Sequence, residues 1–166
     1  SNGGIMRMRA DGPESLYRRG DWANLRPTNG RGEPMKLASY RFNNLDSYGV
    51  VVGDGVVDLA KRLPQKDLKS LLQAGGLAKA AEAVKGAKAD AKLSEVSLLP
   101  VIPNPDKILC IGLNYKAHRE ETGRKETDNP AIFVRFPDSQ TPHKGPIVKP
   151  KSSDQLDYEG ELAVII

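Results

Sequence analysis

The stretch Val50-Val51-Val52-Gly53-Asp54-Gly55-Val56-Val57 decides how the first half of the chain folds. Two β-branched runs separated by a Gly-Asp-Gly break form the pattern of a tight hairpin, because glycine reaches positive φ without a Cβ clash. The same glycines do not make a phosphate cradle. A dinucleotide loop needs further spaced glycines opening a helix, and here the chain runs on into Val56 to Leu59 as strand. Upstream, Lys36 to Phe42 alternates as a strand and Tyr48 to Val52 reads as the next. Downstream, Asp67 is placed to cap a short helix through Ala74 with Leu68, Leu71 and Leu72 on its inner face, and Gly75-Gly76 ends it. Leu77 to Val84 continues the helical bias as far as Gly86, as a layer on the small sheet. No catalytic group falls in these helices.

The chain has 166 residues, enough for one ordinary domain or two small ones. Hydrophobic residues make up 39% and charged residues 28%, a globular balance that excludes a disordered chain. The net charge of +4 does not make a nucleic-acid face, because lysines and arginines are scattered among acids with no interleaved aromatics. No segment has the apolar length of a membrane span. A lone Cys110 excludes an internal disulfide framework and fits a reducing compartment, so the expected location is cytoplasmic.

Residues 1–34 differ from the rest, with six Arg and no Lys against five Arg and fourteen Lys in 35–166. Repeated Gly and Pro breaks give them no sustained apolar period, so they are expected to be disordered, with Met35 as the native start and 1–34 as non-native extension. An arginine-rich functional arm is the competing view. The expected organisation is a small domain over 35–100, a Pro-rich linker over 101–106 (between Pro100, Pro103 and Pro105), and a second domain over 107–166.

In that second region Lys107 to Ile111 reads as a buried strand, Gly112-Leu113-Asn114 breaks it, and a polar helical turn runs from Tyr115 to Thr122. His118 and Glu121, at i and i+3, share a face of that turn. A carboxylate beside an imidazole orients it and favours its protonated form, so the pair fits a proton-transfer dyad. It fits an exposed, charge-laced helix as well, since Lys116, Arg119 and Glu120 surround it. Ala131 to Val134 reads as a strand, with Arg135 at its end suited to a substrate carboxylate or to the surface. His143 lies in the long Pro137 to Pro146 connection, a place where substrate contacts concentrate. Asp157-Tyr158-Glu159-Gly160-Glu161 then leads into Leu162-Ala163-Val164-Ile165-Ile166, which reads as the start of a buried strand. On a strand, Glu159 and Glu161 would share a face with Cα atoms roughly 6.5 to 7 Å apart. They would then converge on one cation or decorate a solvated edge.

Taken in order, Ile111-Gly112-Leu113-Asn114-Tyr115, His118 with Glu121, Phe133, Gly145-Pro146-Ile147 and Asp157 to Val164 closely resemble the fumarylacetoacetate hydrolase family over residues 104–166. Met35 to Pro100 resembles the small amino-terminal domain of many bacterial members. The resemblance implies an α+β protein: a small hairpin-and-helix domain followed by the first part of a mixed β-roll. It implies a Mg²⁺ or Mn²⁺ ion, with Ca²⁺ as a substitute in a crystal, held by three carboxylates of which Glu159 and Glu161 match two. The third, an aspartate, is expected beyond Ile166. It implies His118 as general base on a lid with Glu121 orienting it, and Tyr115, Arg135 and His143 at the substrate. Relatives have a lysine followed by proline where Arg135-Phe136-Pro137 stands. The implied reactions are C–C hydrolysis, decarboxylation or isomerisation of oxo-acids, such as that of 2-hydroxyhepta-2,4-diene-1,7-dioate, by a homodimeric full-length enzyme without nucleic-acid or membrane partners. The 166 residues alone are expected to be an inactive, truncated portion with weak metal binding. A non-enzymatic binding module is the alternative.

Overall fold

A computed structural model describes residues 34–125, 127 and 129–166. The expected disordered extension lies, but for Pro34, outside the described residues. Strands β1 (Lys36–Phe42) and β2 (Leu45–Val52) pair antiparallel from Lys36↔Val51 to Phe42↔Leu45. Asn43 and Asn44 between them sit at φ 50° and 62°, the left-handed conformations of a two-residue hairpin turn that twists with its strands. The sequence pattern did not mark this turn. The hairpin it did mark is present: β3 (Gly55–Asp58) returns along β2 from Val52↔Gly55, with Gly53 at φ 62°. Two short strands, β4 (Ala91–Lys92) and β5 (Ser97–Leu98), complete a sheet of order β4-β3-β2-β1-β5. Every pairing among the described residues is antiparallel.

Alternation along the strands sends side chains to two faces. On one face Tyr48, Val50, Val57 and Leu59 pack with Leu68, Leu71, Ala80, Val84 and Ile102, and on the other Tyr40, Val56 and Ala91 pack with Phe42, Val96 and Leu98. The first face is closed by α1 (Leu68–Gln73) and α2 (Leu77–Val84). Helix α1 starts in a full capping box: the Asp67 carboxylate accepts from Ser70 N–H at 2.7 Å, and Ser70 Oγ accepts from Asp67 N–H at 3.2 Å. Each large side chain fully buried here contributes about 1.5–3 kcal/mol relative to exposure. Gly49 lets the ribbon close, since a Cβ there would stand 2.2 Å from the Val57 carbonyl oxygen.

Charged groups knit the open side of this unit. Asp58, 8% exposed, accepts from the Ser47 hydroxyl at 3.0 Å on both oxygens and from Lys61 N–H at 3.2 Å. Asp90 accepts from Asp58 N–H at 2.9 Å, from Arg62 Nη1 at 2.7 Å and from Lys61 Nζ at 3.3 Å. Partial burial pushes the Asp90 carboxyl up, but those donors together hold it below its ordinary value of 3.8.

Beyond Ile102 the architecture opens. Strand β6 (Ile108–Gly112) pairs with β7 (Ala131–Arg135) from Ile108↔Arg135 to Gly112↔Ala131, and α3 (Lys116–Glu121) lies between them in sequence. Of the expected mixed roll, the described residues form this two-stranded ribbon. The strand expected to be buried over Lys107 to Ile111 is only half-buried, with Leu109 60% exposed, and β7 is exposed throughout. The buried strand expected at Leu162 to Ile166 does not form. These residues pair with no strand and are exposed except Ile165, because no neighbouring edge takes up their backbone groups. Links that tie this part to the first unit include Lys69 Nζ donating to the Asn104 carbonyl at 3.1 Å and to Asp106 at 2.5 Å, Asn104 Nδ2 donating to Asp67 Oδ2 at 3.2 Å, Gln140 Nε2 donating to the Ile102 carbonyl at 3.2 Å, and Ile165 packed on the core.

Candidate active site

Helix α3 begins because Tyr115 is extended, at φ −110° and ψ 123°, while its carbonyl already accepts from Arg119 N–H at 3.0 Å. Leu113, at φ 55°, turns the chain from β6 into that helix. Thr122 closes the far end, its hydroxyl donating to the His118 and Arg119 carbonyls at 3.1 Å. The helix therefore presents His118 from a short but bounded turn.

His118 stands between two carboxylates. Its Nδ1 lies 3.8 Å from Glu121 Oε2, as the i, i+3 spacing requires, and its Nε2 lies 3.3 Å from Glu159 Oε1. The Glu159 contact is the shorter, and no local spacing announces it. Both carboxylate side chains remain largely exposed, at 82% for Glu121 and 63% for Glu159, with His118 at 39%. Tyr115, expected at the substrate from the resemblance, offers its hydroxyl oxygen to Leu162 N–H at 2.7 Å. Sequence reasoning had no signal for that bond, since it joins side chain and backbone across the whole region.

Among the described residues, the remaining candidates make no hydrogen bond or ion pair with this group. Glu161 is exposed beside Gly160, around which a Cβ would meet nothing within 4 Å. Arg135 turns back on its own strand end, its Nε donating to Ser139 Oγ at 3.2 Å and its Nη2 to the Ser139 carbonyl at 3.4 Å. His143 is exposed in the connection that precedes Lys144, itself at φ 61°. The structure thus brings His118 together with Glu121 and Glu159 and bonds Tyr115 to Leu162, while among the described residues Arg135 and His143 make no hydrogen bond or ion pair with them.

Carboxylate oxygens are the donors a hard divalent cation prefers. Among the described residues, however, no group of three or more His, Cys, Asp or Glu side chains is placed to hold a metal. Glu159 and Glu161 have the right donor type and fall short in number.

Residues 107–166 match the model of the fumarylacetoacetate (FAA) hydrolase C-terminal family. Over these residues the chain is of the fumarylacetoacetate hydrolase type. The mitochondrial oxaloacetate tautomerase Fahd2a of Rattus norvegicus is 34% identical over 140 residues, covering 80% of this chain and 45% of that protein. The oxaloacetate tautomerase YisK of Bacillus subtilis is 48% identical over 79 residues, covering 45% of this chain and 26% of YisK. A crystal structure of an HpcE candidate from Mycobacterium smegmatis superposes with a TM-score of 0.47 at 28% identity, over 63% of this chain and 37% of that one. The chain spans less than half the length of each. Within the family match lie β6, α3, β7 and both glutamates, so the whole candidate site falls inside it. No helix among the described residues is long and apolar enough to cross a membrane.

Proposed function

We propose that His118, with Glu121 and Glu159, forms the proton-handling part of an enzyme of the fumarylacetoacetate hydrolase family that interconverts enol and keto forms of an oxo-acid. The observation that carries this is the histidine held between two carboxylates, 3.3 Å from Glu159 and 3.8 Å from Glu121. The named relatives are oxaloacetate tautomerases, which makes a small dicarboxylic oxo-acid the substrate class to test first.

Tautomerisation needs a base that takes a proton from one atom and an acid that returns one to the atom two bonds away, with no net gain or loss. An imidazole does both near neutrality. In this reading His118 takes the proton from the enol oxygen, the C–O bond becomes C=O as the C=C electron pair shifts, and a proton is returned to the far carbon of the former double bond. Glu121 holds the ring by its Nδ1 side, and Glu159 faces the nitrogen that points toward the carboxylate segment. Glu159 and Glu161 would supply two oxygens to a Mg²⁺ or Mn²⁺ ion. When bound, such an ion supplies Lewis acidity that stabilises developing enolate charge. Homodimerisation of the whole protein belongs to the same proposal.

The test is the enol-to-keto conversion of oxaloacetate by the full chain with Mg²⁺ or Mn²⁺, followed by ultraviolet absorbance. Acceleration over cation alone, reduced about 10²- to 10⁴-fold in His118→Gln, is the expected result. A parent chain no faster than buffer with the same cation would sink the enzymatic reading. A second reading, a non-catalytic portion that binds without turnover, is favoured by one observation: the described donors make no three-ligand group. Oxo-acid binding without acceleration would select it.

A further inference from the structure

Residues 155–166 make two kinds of hydrogen bond. Gln155 N–H donates to Ser153 Oγ at 3.1 Å and Tyr158 N–H to Asp157 Oδ1 at 2.8 Å, both within the segment's own neighbourhood. Leu162 N–H instead reaches 47 residues back to the Tyr115 hydroxyl at 2.7 Å. No strand ladder holds this stretch, and around Gly160 there is open space, so packing does not hold it there either. Ile165, against the core cluster, anchors the far side of the stretch. Among the described residues, the Tyr115 bond is the one hydrogen bond between Gly160 and that anchor that leads to the helix carrying His118.

Tyr115 is also the residue from which α3 springs, its carbonyl accepting from Arg119 N–H. One residue therefore sets where the helix begins and where the carboxylate segment lies against it. We propose that Tyr115 is a positioning residue, whose hydroxyl holds the Glu159–Leu162 backbone so that Glu159 faces His118. This rests on the reading of His118 and Glu159 as site residues. The physical reason is geometric. A phenol on a rigid ring is a fixed acceptor, and fixing the Leu162 amide leaves only two peptide units between that point and Glu159.

Tyr115→Phe keeps the ring and removes the acceptor, and Leu162→Pro removes the donor from the opposite side. Each variant is compared with the parent full chain by amide hydrogen exchange, by the nuclear Overhauser contact between the His118 ring and the Glu159 side chain, and by titration with Mn²⁺ alone. Core methyl signals of Val57 and Leu71 report that the fold is kept. We expect faster Leu162 amide exchange in Tyr115→Phe, loss of the His118–Glu159 contact in both variants, and Mn²⁺ binding weakened on the order of three- to tenfold. Incorporating 3-fluorotyrosine at position 115, which retains the oxygen, should restore the contact. An unchanged His118–Glu159 contact in either variant overturns the proposal. Loss of that contact in both, with no Mn²⁺ bound even by the parent, upholds the positioning role and sinks the metal reading instead.

Discussion

The five-stranded sheet and the β6–β7 ribbon are both antiparallel, yet they keep their apolar residues in opposite environments. Val56 and Val57 are adjacent in β3, point to opposite faces, and are both fully buried. Ile132, Phe133 and Val134 of β7 likewise alternate, and all are more than half exposed. Pairing into a ladder satisfies the backbone, but burial needs a layer on each face. Helices α1 and α2 supply such a layer for the first sheet. The lesson is that the buried core of the described residues is built mainly before Ile102, whereas the proposed site lies after it.

That contrast can be attacked by mutation. The largest effect should come from Leu71→Ala, which empties part of the core and should cost about 2–5 kcal/mol in urea unfolding. Next, Gly49→Ala should cost about 1–3 kcal/mol, because its Cβ would meet backbone, the Val57 carbonyl, rather than a yielding side chain. Asp67→Ala, which opens the capping box, should cost about 1 kcal/mol. Val134→Ala should change the midpoint by less than about 0.5 kcal/mol, since it is already 64% exposed. A Val134→Ala cost equal to that of Leu71→Ala would erase the distinction between the two regions.

Acid offers a further check on the first region. Hydrogen bonding from Ser70 N–H holds the Asp67 carboxyl below its ordinary value of 3.8, and the Asp58, Arg62 and Lys61 donors do the same for Asp90 against burial. Carboxyls lowered by folding stabilise fully above that ordinary value, and the contribution is lost as pH falls from there through the folded-state value. Stability followed by circular dichroism should therefore decline as pH drops below about 3.8, and less steeply in Asp90→Asn. Equal slopes in parent and variant would show that Asp90 takes no part.

Much of the first region was legible because its signals are local. Gly53 marks a turn, Asp67 marks a helix start, and the alternation of Tyr48, Val50 and Val52 marks a strand, each within a few residues. At Asn43-Asn44 the local sign is fainter, two consecutive residues tolerant of left-handed backbone with no glycine. In the second region the i, i+3 face of His118 and Glu121 was legible for the same reason. The apolar run Leu162 to Ile166 misled, because β-propensity describes a fit to a pleated surface and a strand exists only where an edge receives it.

Local spacing, then, was enough to mark the hairpin at Gly53-Asp54, the caps of α1, and the pairing of His118 with Glu121, since each depends on dihedral preference and helical pitch over short range. The three-dimensional arrangement alone decided that Glu159 stands nearer to His118 than Glu121 does, and that Tyr115 holds Leu162. Contacts across 41 and 47 residues depend on where the chain returns, and that is set by what packs and what finds a hydrogen-bond partner once the elements meet.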